Sequence, residues 1–179
     1  MNDNSNRLRQ TNAFAMQYGL WLGAFFILTF GFYVAGMLMP SAMIIFIVLL
    51  LYTPFLATRL TTRFRRTVCG GLISFGRAYG FTLLQYIYAT LLHALSVYIF
   101  FAFFENGMLV RMYEQAFADP NVMEQMKQMQ MVSAQEPDAV ITMLRSMTPI
   151  MYVSGFVTWN TFMSVILSLP TALWVRRTA

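Results

Sequence analysis

Four long apolar stretches, Ala13–Met39, Pro40–Thr58, Tyr79–Phe104 and Thr148–Val175, are separated by segments whose charges sort by side. A hydrocarbon core about 30 Å thick is crossed by a helix of about 20 apolar residues, and each stretch reaches or approaches that length. Charged residues make up 11% of the chain, against about 25% in a soluble domain. The expected fold is all-α: an integral membrane four-helix bundle, residues 1–179 forming a single membrane domain, with a partly helical outer loop at 105–147 between spans 3 and 4. The first apolar run exceeds the roughly 7–15 residues of a secretory signal core, and no small-residue cleavage site follows it, so it reads as a retained span.

Arg7 and Arg9 precede span 1, Arg59, Arg63, Arg65, Arg66 and Arg77 lie between spans 2 and 3, and Arg176 and Arg177 follow span 4. That places nine of the twelve basic residues on one side, which the positive-inside rule makes cytoplasmic, together with both termini. The other side holds Arg111, Lys127 and Arg145 against six carboxylates, Glu105, Glu114, Asp119, Glu124, Glu136 and Asp138. Because the arginines flank spans instead of clustering among stacking aromatics on a soluble surface, a nucleic-acid partner is not expected. The cluster Arg59, Arg63, Arg65 and Arg66 holds topology and is a candidate inner-face contact for anionic lipid headgroups.

Gly36 and Pro40 punctuate a very tight outer turn between spans 1 and 2. The long 105–147 loop needs structure of its own. Glu105-Asn106-Gly107 reads as a glycine-capped end of span 3, and Asp119-Pro120 as a helix N-cap followed by proline. The next helix is expected from Asn121 to about Ser133, with Val122, Met126, Met129 and Val132 as its apolar stripe. A third piece starts at Glu136-Pro137-Asp138 and sets Val140, Met143, Leu144 and Met147 on one side. Such pieces lie on a membrane surface or cap a bundle. A weak internal echo relates Ala13-Phe14-Ala15 and Tyr18-Gly19 to Ser74-Phe75-Gly76 and Tyr79-Gly80, with Pro54 and Pro170 in matching places. It fits two parallel hairpins or chance.

His93 is the sole histidine. Thr82, Tyr86, Thr90, His93 and Ser96 share a polar face of span 3, and Ser154, Thr158, Thr161, Ser164 and Ser168 form a stripe on span 4. Polar faces of this kind turn from lipid and pack together. An ionisable residue at bilayer depth raises proton relay or pH sensing, with Gln85 or Asn160 as neighbour. No intramembrane acid or base is present to pair with it, so a neutral histidine bonded across a helix contact is the preferred reading. One histidine makes no standard zinc site. Methionines crowd the loop (Met108, Met112, Met123, Met126, Met129, Met131, Met143, Met147), and their spacing raises Cu(I), but adaptable packing is preferred. No metal or cofactor is expected.

Gly19 and Gly23, with Ser164 and Ser168, are candidate close helix contacts, within the monomer in preference to a dimer face. Trp21, Trp174, Tyr18 and Tyr79 read as interfacial anchors. Cys69, the sole cysteine, has no partner for activation and reads as an ordinary thiol.

Ser74-Phe75-Gly76-Arg77-Ala78-Tyr79-Gly80 entering span 3, Tyr18-Gly19-Leu20-Trp21-Leu22-Gly23 in span 1, and Leu167-Ser168-Leu169-Pro170-Thr171-Ala172 before Arg176-Arg177 resemble an uncharacterised family of small bacterial four-span inner-membrane proteins, defined as a domain of unknown function. The resemblance implies four helices and a bacterial inner membrane, and brings no activity or site residues. Two functions are carried forward. One is a non-enzymatic interaction or accessory protein that binds a membrane or envelope protein, or a second copy, through the outer loop and the Gly19/Gly23 face. The other is a small oligomeric transporter or channel built on the polar faces of spans 3 and 4. No enzyme is expected, because no activated nucleophile or metal can be assembled.

Overall fold

The computed structural model describes residues 3–128 and 137–178, excluding the side chains of residues 3, 4, 126 and 127. Helix α1 runs Asp3–Leu38 and α2 runs Pro40–Val68, with Met39 alone between them. Proline forces its predecessor out of the helical region, and Met39 is extended at φ −133°, ψ 107°. Pro40 then occupies the first turn of α2, where its missing N–H costs nothing. The helices can fold back this sharply because Gly36 lies against the Met43 backbone, where an added Cβ would come within 3.1 Å. Ring pairs hold the hairpin along its length: Tyr33–Phe46, Phe25–Tyr52 and Phe14–Phe64.

The apolar run ending at Thr58 is the first part of a helix that continues ten residues further, to Val68. Helix α3 (Phe75–Ile99) follows, and α7 (Pro149–Val175) closes the set. These two, with α1 and α2, are long and apolar enough to cross a membrane. Gly70 and Gly71 have φ +63° and +90°, which ends α2 in a turn that L side chains resist. Beyond that turn Ile73 and Arg177 exchange both backbone hydrogen bonds, at 2.9 and 3.1 Å. Arg77 donates to Thr11 Oγ1 at 3.2 Å and to Gln10 Oε1 at 2.9 Å. The start of α1, the α2–α3 connection and the end of α7 therefore meet at one end.

Residues 1–96 with 155–179 form one compact unit and 97–154 another. In the first, Phe64 stacks on Phe81 with ring centroids 3.9 Å apart, among buried Ala15, Ala78, Ala172 and Val175. A second cluster gathers Leu22, Ala57, Tyr86 and Ala89. Ile44, Ile47, Val48, Leu51 and Phe55 form an exposed stripe on α2, as do Phe162, Ile166, Leu169 and Leu173 on α7. An outward surface of large aliphatic and aromatic side chains suits hydrocarbon and not water.

In the second unit, α3 widens into a π-helical turn at Phe100–Phe104. Asn106 and Gly107 turn the chain with φ 44° and 73°. Helices α4 (Met108–Ala118), α5 (Pro120–Gln128) and α6 (Pro137–Ser146) follow. Glu105 does more than end α3. Its carboxylate accepts the N–H groups of Gly107 at 2.8 Å and Leu109 at 2.7 Å, satisfying donors at the N-terminus of α4 and opposing its dipole. Asp119 Oδ1 accepts Asn121 N–H at 2.9 Å at the start of α5. Arg145 pairs with Glu114, joining α6 to α4, and Phe101 stacks on Tyr152 at 4.0 Å. The expected extension of α5 to Ser133, with Met129, Met131 and Val132, falls outside the described residues.

Candidate functional site

Inside the first unit most hydroxyls bond to their own helix. Thr29, Thr53, Thr58, Thr61 and Thr82 donate to the carbonyl four residues back, and Ser96 and Ser164 to the one three back. Cross-helix polar contacts are fewer. Thr61 Oγ1 lies 3.1 Å from Thr82 Oγ1 and 3.3 Å from Gln85 Oε1, polar contacts that join α2 to α3. Thr58 meets Thr171 at 3.3 Å, joining α2 to α7. Gln85 thus serves the Thr61 contact, two turns along α3 from His93.

His93 meets Asn160: the amide nitrogen stands 3.3 Å from Nδ1. Phe26, Phe30 and Phe156 surround the imidazole edge-on, with centroids 5.7, 5.5 and 5.9 Å away. His93 Nε2, Tyr86 OH, Thr90 Oγ1 and Ser168 Oγ are buried with no hydrogen-bond partner among the described residues. His93, Tyr86 and Asn160 help line a cavity of about 530 Å³, whose other walls mix aromatic side chains, Trp159 included, with aliphatic and small polar ones. That volume falls in the range of small-molecule sites.

The span-4 stripe divides. Ser164 and Ser168 are buried, whereas Ser154, Thr158 and Thr161 are exposed. At about 100° per residue the last three fall outside the arc that holds Ser164, Ser168, Thr171 and Val175, so they do not pack inward as a stripe. Gly19 and Gly23 sit where α1 crosses α3. A Cβ on Gly19 would lie 2.6 Å from Tyr88 Cβ, and one on Gly23 would lie 3.2 Å from Ala89 Cα. This face is occupied by the chain itself and offers no surface to a partner.

The four arginines also divide. Arg59 donates to Tyr52 OH at 2.6 Å and lies over its ring. Arg65 turns inward and donates to the Val175 carbonyl at 2.8 Å, near the C-terminus of α7, where a cation is favoured. Arg63 and Arg66 remain exposed. Arg59, Arg63 and Arg66 line a hollow of about 440 Å³ with Trp174. Burial raises the Cys69 thiol above its ordinary pKa, with the Arg77 charge opposing the shift.

In the second unit Glu105, Arg111, Glu114, Arg145 and Tyr152 help line a hollow of about 470 Å³. Among the described residues no three His, Cys, Asp or Glu side chains gather as a metal site. Of the methionines considered for Cu(I), Met129, Met131 and the Met126 side chain lie outside the description. Sequence reasoning missed Thr61, the ring cage around His93 and the inward turn of Arg65. A partial signal for the cage was present: Phe26 and Phe30, like Phe156 and Asn160, are four apart and share a helix face.

Four apolar helices of spanning length, packed through small residues and short polar contacts, have the pattern of a multi-pass membrane protein. The chain belongs to the family described as "Protein of unknown function (DUF4199)", which matches residues 17–177. No curated protein and no solved structure matches it.

Proposed function

We propose that this is a non-enzymatic, multi-pass protein of the bacterial inner membrane, with both termini cytoplasmic, that acts by binding a membrane or envelope protein through residues 97–154. The observation that carries the reading is the second unit itself. Between α3 and α7 the chain builds a separately compact body, with capped α4 and α5 and an α4–α6 ion pair. Such outlay on a connection points to a surface that must keep its shape. The arginine asymmetry supports the orientation, and the bacterial setting is carried over from the family resemblance.

The test is purification of the tagged protein from its native membrane in mild detergent, followed by intact mass measurement. A stoichiometric second protein, lost when residues 108–147 are removed, supports the reading. A homo-oligomer carrying only lipid or a small molecule overturns it.

A second reading, a small oligomeric transporter or channel, is favoured by the cavity beside His93 and Asn160. A pH-dependent flux in proteoliposomes that His93→Ala abolishes supports it. Flux unchanged by that substitution removes proton coupling from the account.

A further inference from the structure

We propose that the hollow between α2 and α7 formed by Arg59, Arg63, Arg66, Thr62 and Trp174 is a binding site for the headgroup of an anionic phospholipid, with its phosphate groups held by the guanidiniums. The argument begins with charge. Residues 1–96 and 155–179 contain nine arginines and one acidic residue, Asp3. The first unit cannot neutralise its cations with its own carboxylates, so most of their counterions come from outside that unit.

Geometry then separates this trio from the remaining arginines. Spacings of four and three residues put Arg59, Arg63 and Arg66 on one face of α2, spread over roughly 10 Å of helix. Trp174 of α7 supplies the other wall and is exposed. An indole at a helix end is an anchor at headgroup depth. Arg59 is oriented by its bond to Tyr52 OH, while the guanidiniums of Arg63 and Arg66 make no hydrogen bond or ion pair with any described residue. Among the described residues no carboxylate lines the hollow. Arg65, on another face of α2, is consumed by the Val175 carbonyl and takes no part.

Guanidinium groups match phosphate oxygens with paired N–H donors, and basic pockets between membrane helices recognise lipid headgroups. Three cations spread along about 10 Å of helix suit a headgroup bearing two phosphates better than one bearing a single phosphate. Cardiolipin is therefore the probe.

Cardiolipin, phosphatidylglycerol and phosphatidylcholine are each added to delipidated protein in non-ionic detergent, and occupancy is read by native mass spectrometry. Each surface arginine contributes about fivefold to anionic-lipid affinity. Cardiolipin is expected to bind at least tenfold more tightly than phosphatidylcholine, and Arg63→Gln/Arg66→Gln is expected to lose at least tenfold of that affinity. Both side chains are exposed and have no partner among the described residues, so this variant is expected to keep the fold. A control variant of equal charge, Arg9→Gln/Arg176→Gln, is expected to lose less than threefold. Equal losses in the two variants would overturn the proposal in favour of undirected charge. Displacement of cardiolipin by millimolar inorganic phosphate would overturn it in favour of a soluble phosphate ligand.

Discussion

Asn160 on α7 stands 3.3 Å from Nδ1 of His93 on α3, a polar contact that joins the two helices. Three phenylalanine rings pack around the same imidazole, so its position rests on more than the hydrogen bond. Hydrogen bonds between membrane helices average about 0.6 kcal/mol. Asn160→Ala should therefore cost less than about 1 kcal/mol. His93→Ala, which also empties the ring cage, should cost about 2–3 kcal/mol. Thermal unfolding in detergent checks both, and a double-mutant cycle should return a coupling of about 0.6 kcal/mol.

Two glycines on α1 should respond in opposite ways. Gly19 meets Tyr88 Cβ at 2.6 Å and the Gln85 carbonyl at 3.0 Å once a Cβ is added, whereas nothing lies within 4 Å of that position at Gly31. Gly19→Ala forces α1 and α3 apart and should cost about 1–3 kcal/mol. Gly31→Ala should be neutral, or stabilising by up to about 1 kcal/mol through helix propensity. Equal effects on the melting temperature would contradict the α1–α3 crossing.

The fold's broad plan was legible because apolar length is a direct demand of hydrocarbon thickness, and the Met39–Pro40 break because proline constrains its neighbour. The last ten residues of α2 were hidden. Arg59, Arg63 and Arg66 lower the hydropathy after Thr58, yet arginine is a good helix former, and the helix continues to Val68. The spacing of Gly19 and Gly23 revealed that a helix must come close, but not that α3 is the one. The candidate site was partly legible. His93 and Asn160 were singled out as isolated polar groups, whereas the cage was masked because Phe26, Phe30 and Phe156 are indistinguishable in sequence from lipid-facing rings.

Glu105 caps α4 with both carboxylate oxygens. Glu105→Ala should destabilise that helix by about 1–2 kcal/mol. The expected signature is faster amide exchange in residues 108–118, with α1 and α2 unchanged.

Cys69 is held toward its thiol form by burial. At neutral pH it should react with iodoacetamide more slowly than a free cysteine peptide, and the rate should climb only above the thiol's ordinary pKa. The folded state holds this proton more tightly than the unfolded one. The thiol therefore makes no differential contribution well below its ordinary pKa, and stability falls as pH rises through that value. Cys69→Ser should remove that alkaline loss. A reaction rate matching the peptide's would contradict the burial.

Impermeant-maleimide labelling of single cysteines in a Cys69→Ser background, read from intact spheroplasts, tests most directly the orientation on which both the partner surface and the lipid site rest. Cysteines replacing Asp119 and Asp138 should label from outside, whereas those replacing Arg9 and Thr178 should label only after the membrane is opened. Outside labelling at Arg9 or Thr178, with Asp119 and Asp138 protected, would invert the protein and contradict the account.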